Sequence, residues 1–242
     1  MRIISLSSDF TTERKMIVIF NGPPGSGKDE AASLYKEMYG FKSLSFKHQL
    51  FKETIEFFGV DKEWFMKGYN DRAQKEVVEH ALGDHSRREA MIHVSENVIK
   101  PKNGLDYFGK LVAEEIEDGV HYAVADGGFV EELKPLIERV GAENVVIVQI
   151  TRDGHDYSSD SRRYFNGNLI KEYTIQFETP IDSAYVLEEE MNVNTYRIHN
   201  NGSVRNFHSI LTDIYNELNE DFKIETDRQI TQDTDTKHNQ SD

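Results

Sequence analysis

Cysteine is absent from this 242-residue chain. Its absence excludes disulfides and thiolate metal sites, and a reducing cytoplasm is the expected compartment. No apolar run approaches the ~18 residues of a membrane-spanning helix, so no membrane partner is expected. The opening Met1-Arg2-Ile3-Ile4-Ser5-Leu6 turns polar too quickly for a secretory signal. Basic charge is scarce: 28 Lys and Arg stand against 43 Asp and Glu, a formal net charge of −15. So acidic an average surface argues against non-specific nucleic-acid binding, although a basic groove can be segregated from it. Histidines are scattered, and His80 and His85 have no third partner in view, so no metal site is assigned to them.

What is present is organised around Ile17-Val18-Ile19-Phe20-Asn21-Gly22-Pro23-Pro24-Gly25-Ser26-Gly27-Lys28-Asp29. An apolar run enters a glycine-rich turn, and the turn enters a helix-forming segment, Asp29 to Tyr39. Gly22 to Lys28 fits G-x-x-x-x-G-K. Glycines let the backbone wrap closely around phosphates, and the amides of the turn and of the helix start point at the anion. Gly22, Pro23, Pro24, Gly25, Ser26, Gly27 and Lys28 are therefore the candidate ATP cradle, with Lys28 the mobile charge. Asp29 replaces the usual Ser or Thr, so any Mg²⁺ falls to Asp29 itself, to water or to another carboxylate.

Further along, Phe41–Phe46 alternates as a strand and Lys47–Phe58 has helical spacing. Asp61 to about Lys100 is polar and helix-rich, and Pro101 is expected to end it. Gly104–Glu117 reads as a helix, Tyr122–Asp126 as a short strand, Val130–Val140 as a helix around Pro135, and Asn144–Ile150 as a buried strand. Residues 154–180 read as one long polar loop, of a length that is uncommon without a function. Asn194–His199 is a last strand and Val204–Leu218 a last helix. Alternating strands and helices predict a parallel sheet covered on both faces, a three-layer α/β fold with five strands. Ligands bind at the carboxyl ends of such strands, where Lys28, Asp126, Arg152 and Asn201 all fall. The domain spans 16–218, with an N-terminal extension 1–15, a helical insertion at about 47–118, a lid at about 152–193 and a disordered polar tail 219–242.

Asp126 ends an apolar strand, where a carboxylate can take a proton from an acceptor hydroxyl or cap the following helix. Arg152, Arg162 and Arg163 can neutralise charge on a transferred phosphoryl group, the last two from the lid. Arg87 and Arg88 open a helix on the expected acceptor side. Phe46, Trp64 and Tyr69 are stacking candidates for a base.

The stretch Asn21–Asp29 resembles the loop of phage-encoded kinases of deoxynucleotide metabolism, where Gly-Lys-Asp also replaces Gly-Lys-Ser/Thr. These stand with the thymidylate- and other monophosphate-kinase-like proteins. The resemblance extends more weakly through Ser86-Arg87-Arg88, Asp126, Arg152 and Ile198-His199-Asn200-Asn201-Gly202-Ser203, over residues 16–218. It implies a P-loop NTPase fold, ATP and Mg²⁺ as cofactors, adenine resting against Asn200–Ser203 (Asn201 and Gly202 foremost) and a host-cytoplasm location. Two branches compete. One phosphorylates free deoxynucleoside monophosphates. The other phosphorylates the hydroxymethyl group of 5-hydroxymethyl-deoxyuridine within viral DNA. The monophosphate branch ends its third strand in Asp-x-Arg, whereas this chain has Asp126-Gly127-Gly128. The missing clamp, and the open space expected beside two glycines, favour the branch whose acceptor is a deoxypyrimidine in DNA, with Gly127 and Gly128 on the acceptor side. A non-catalytic nucleotide-binding module has no use for lid arginines.

Overall fold

The computed structural model describes residues 15–158, 162–173, 184–186 and 192–220. The extension up to residue 14, parts of the expected lid and the tail from residue 221 lie outside the described residues. In chain order the first elements are β1 (Ile17–Asn21), α1 (Lys28–Tyr39), β2 (Lys42–Leu44) and α2 (Phe46–Phe58). Next come α3 (Lys62–Asn70), α4 (Arg72–Lys75), the short pair β3 (Val78–Glu79) and β4 (His85–Ser86), and α5 (Arg87–His93). A π-helical turn (Val94–Ile99) leads into α6 (Lys100–Asn103) and then α7 (Tyr107–Glu114). The second half holds β5 (Tyr122–Val124), α8 (Val130–Val140), β6 (Val145–Thr151), β7 (Tyr164–Asn166), β8 (Asn168–Tyr173), β9 (Ala184–Val186) and β10 (Asn194–His199). The chain is helical again over 204–220.

Six strands form one sheet in the order β2-β5-β1-β6-β10-β8, with every neighbouring pair parallel. β1 is buried at all five positions, so its side chains alternate between two apolar layers rather than between core and water. Ile17 and Ile19 pack with Val112 of α7 and Leu133 and Leu136 of α8. Val18 and Phe20 pack with Ala31 and Tyr35 of α1 and with Phe207, Leu211 and Ile214 of the last helix. Each such fully buried side chain contributes roughly 1.5–3 kcal/mol of transfer free energy. The sheet is thus flanked by helices on both sides, compatible with the expected three layers. A third, smaller apolar cluster around Phe65, Leu82 and Met91 holds α3 and α5 together beside α2.

Several expectations are corrected. The sheet has six strands, not five, because β8 lies inside the stretch read as loop. β8 is mostly exposed, Leu169 and Ile170 included, since an edge strand needs only backbone pairing, here with β10. β7 in the same stretch pairs with β9. β2 stops at Leu44 because Phe46 already opens α2. α7 is shorter than Gly104–Glu117. Pro101 does not end the helical run, which continues from residue 87 to 103. The Lys100 amide bonds Ser95 O, five residues back. This wide turn opens the ladder ahead of the proline, which has no N–H to give and a ring that an α-helical register would crowd.

α7 and α8 approach closely at Gly109, where an added Cβ would run into the backbone carbonyl of Glu132. Backbone has no rotamer with which to yield. Gly109→Val is therefore expected to lower unfolding stability by at least about 2 kcal/mol, read as a shifted denaturant midpoint. An unchanged midpoint would refute this contact.

Candidate functional site

The turn between β1 and α1 is held from outside. Four successive carbonyls each accept a hydrogen bond from a different side chain. Lys28 Nζ donates to Pro23 O at 3.1 Å, His155 Nδ1 to Pro24 O at 2.9 Å, Arg152 Nη1 to Gly25 O at 3.2 Å and Asn200 Nδ2 to Ser26 O at 2.8 Å. Pro23 and Pro24 have no amide and the Ser26 amide donates to Pro23 O at 3.2 Å, so the amides of the turn that remain are few and are backed by the start of α1, a setting of the kind that suits an anion. Gly25 and Gly27 have φ of 82° and 112°, a region that L side chains avoid. A Cβ at Gly25 would also meet the His155 ring, and one at Gly27 the Asn200 amide. Ser26 Oγ is buried without a hydrogen-bond partner among the described residues.

Beside the turn opens a cleft of about 450 Å³, walled by the turn, α2, the α3–α5 helices, the π turn and α8. Six cations line it: Lys28, Lys47, Arg72, Lys75, Arg88 and Arg162. Four carboxyls do too: Asp29, Glu96, Asp126 and Glu132. Positive charge is therefore concentrated here in a chain that carries −15 overall. Lys75 feels it: burial first, and then the charge of Arg88, hold its ammonium below the usual lysine range.

Asp126 lies past the end of β5 and is nearly buried. Its Oδ2 accepts from Ser45 Oγ at 2.6 Å and from the Lys47 amide at 2.9 Å, and its Oδ1 from the Phe46 amide at 3.3 Å. It caps α2, not the helix that follows it in sequence. The open space expected beside Gly127 and Gly128 is filled. A Cβ at Gly127 would press on Ile19, and one at Gly128 would collide with the aliphatic stem of Arg162. Arg162 thus comes from a distant segment to stand over Gly128, in the cleft that Asp126 also lines. That segment is pinned by two fully buried amides at paired positions of β1 and β6, Asn21 and Gln149. Asn21 Oδ1 accepts from the Phe165 amide at 2.9 Å, and its Nδ2 donates to Arg163 O at 2.9 Å. Gln149 Nε2 donates to Phe165 O and, at 2.6 Å, to Asn166 Oδ1.

Other expected residues fall elsewhere. Arg87 is 2% exposed, stacked 4.3 Å from the Trp64 ring centroid and 3.2 Å from Glu79. It belongs to the helical insertion's own packing and does not line the cleft, because the first turn of α5 aims positions 87 and 88 in different directions. Trp64 leaves the candidate base contacts for the same reason, while Phe46 and Tyr69 line the cleft with Arg88. Arg152 braces the turn from an exposed position outside the cleft. Arg163 is exposed and engages through its backbone. Asn201 accepts from the Asp153 amide at 2.8 Å and Gly202 is exposed, so Asn200, not Asn201, touches the turn. Asp29 lines the cleft mouth, and no group of three metal-ligating side chains occurs among the described residues. A Mg²⁺ held by one carboxylate, with phosphate oxygens and water completing its shell, fits such a donor set.

The sequence of the insertion shows Arg72 but gives it no role, and it singles out neither Lys47, Lys75 and Glu132 nor the pinning roles of Asn21 and Gln149. Arg72 and Lys75 share one short helix, α4, which offered the one available hint. No protein-family model matches the chain, and no curated protein is similar to it.

The two neighbouring arginines make opposite predictions. Arg87→Leu leaves Glu79 unpaired and is expected to reduce thermal stability by several degrees while leaving anion binding per folded molecule unchanged. Arg88→Ala is expected to weaken binding of inorganic pyrophosphate with little effect on melting. Calorimetry beside thermal melts separates the two, and the reverse pattern would disprove the assignment.

Proposed function

We propose that the protein is an ATP-dependent P-loop kinase whose acceptor is a free deoxynucleoside monophosphate. The observation that carries the reading is the turn with four tethered carbonyls, opening directly onto a cleft lined by six cations. The triphosphate of ATP lies along Gly22–Lys28, with Lys28 turning from Pro23 O to the β- and γ-phosphates. Adenine rests toward the Asn200–Ser203 turn, next to Gly27. Asp29 would hold Mg²⁺, which neutralises charge on the phosphates when bound.

Two features favour a phosphate over a hydroxymethyl group as acceptor. A phosphate oxygen is already an anion and needs no base, whereas an alcohol must lose a proton. Asp126, the expected base, already has both oxygens engaged in capping α2. A phosphate also needs cations, and Arg88, Arg162, Arg72 and Lys75 supply them on the acceptor side, with Arg162 in the space over Gly128 where the missing clamp was expected. Arg162 and Lys28 then flank the transferred group and neutralise the charge that spreads over it in the transition state. Asp126 acts by fixing α2, and with it Lys47, at the cleft.

The test uses ATP labelled in the γ-phosphate and two acceptors side by side: the free deoxynucleoside monophosphates, and duplex DNA containing 5-hydroxymethyluracil. Label is expected in deoxynucleoside diphosphates, and Lys28→Ala should reduce it at least 100-fold. Label in the modified DNA alone would overturn the choice of acceptor. Label in neither, with ATP bound, would overturn the kinase reading.

A further inference from the structure

Glu132 has no place in the phosphate chemistry above. It projects from α8 into the cleft wall, is 5% exposed, and receives no hydrogen bond from the described residues. The nearest cation, Lys100 Nζ, stands at 4.0 Å and is given instead to Glu96 at 2.7 Å. A buried carboxyl whose ion-pair partner stands at the limit of contact and is held more closely by another carboxylate is expensive in free energy. Its surroundings are those of a base slot. Phe129 lies one helical turn away, with Lys100 4.2 Å from its ring centroid. Phe108, next to the Gly109 contact with Glu132, and Met91 line the same cleft, as does Ser95, which donates to Glu96 Oε1 at 2.9 Å. The π turn that carries Ser95 and Glu96 is a local distortion of the kind often kept for a site. Aromatic walls with one convergent polar group suit a flat, heteroatom-bearing ring, and carboxyls there repel a phosphate.

We infer that Glu132 reads the edge of the acceptor's nucleobase through a paired hydrogen bond, so that the base occupies the slot between Phe46, Phe108 and Phe129 while its phosphate faces Arg88 and Arg162. The inference rests on the nucleotide-acceptor reading above. Burial lifts the Glu132 carboxyl to about 8, with Lys100 opposing and Asp126, Glu96 and Glu131 reinforcing the rise. At neutral pH the group is therefore a carboxylic acid, with one O–H to donate and one C=O to accept. A pyrimidine edge such as N3–H and O4 of thymine offers the complementary pair. Above the titration the O–H is lost and the ion keeps only acceptors, so one of the two bonds becomes a repulsion.

The experiment is calorimetric binding of thymidine 5′-monophosphate, at pH 7 and pH 9, to the wild type, Glu132→Gln and Glu132→Leu, with ATP binding and thermal melting measured on each. The wild type is expected to lose roughly tenfold in affinity between the two pH values, following the protonated fraction of a group titrating near 8. Glu132→Gln, which keeps a donor and an acceptor but does not titrate, should bind at pH 7 as the wild type does and lose the pH dependence. Glu132→Leu should lose at least tenfold at pH 7 with ATP affinity unmoved. The same pH dependence in wild type and Glu132→Gln would overturn the inference even if Glu132→Leu fails to fold, as would a wild type that binds no monophosphate. Label transfer on the same samples separates the two claims. Glu132-dependent binding without transfer refutes the kinase and keeps the base slot, whereas transfer with an unaltered KM in Glu132→Leu does the opposite.

Discussion

The structure depends on the outward tethering of one turn. A tight turn cannot pair all of its carbonyls within itself, and here each of the four from Pro23 to Ser26 meets a donor, two of them at exposed residues. The four donors come from three parts of the chain: Lys28 at the head of α1, Arg152 and His155 just past β6, and Asn200 just past β10. The ends of three parallel strands are brought to one point, so the sheet order is what makes the turn rigid. On the proposed function, an anion arriving there would meet dipoles already aligned and be spared the reorganisation that water requires.

Much of this was legible in the sequence. β1, α8 and β10 stand where apolar runs and periodicity put them, and the glycine-rich turn was readable because its residues are contiguous. The rest was hidden where the controlling partner is remote. Asn21 and Gln149 read as interior positions of apolar strands, yet their amides pin residues 163–166. Gly127-Gly128 read as a gap because nothing near it in sequence says that Arg162 fills it. Arg87 and Arg88 are equivalent as letters, and only the packing of Trp64 and Gly68 buries one of them and leaves the other at the cleft. The edge strand β8 carries Leu169 and Ile170 side by side rather than in alternation and leaves both exposed, because its pairing is a backbone matter.

Charge is distributed with equal economy. In a chain of net charge −15 the cleft gathers cations, and Lys75 there is held below the usual lysine range by burial and then by the charge of Arg88. Such a cluster is tolerated where packing and the covering elements fix it, and its mutual repulsion is relieved by an anionic ligand. Carboxyls gathered around Lys100 give the same cavity a second, differently polar region, so the space distinguishes one end of a ligand from the other.

Gly128 and Arg162 have a consequence for how this site can change over time. The guanidinium reaches the cleft only because position 128 has no side chain, and position 128 tolerates having none because an arginine stem covers it. Neither residue can be replaced alone without leaving either a collision or a void. The cation can migrate to the strand end only if residue 162 shrinks in the same lineage. The two positions form an epistatic pair, across which related chains are expected to trade a small residue and a long basic one.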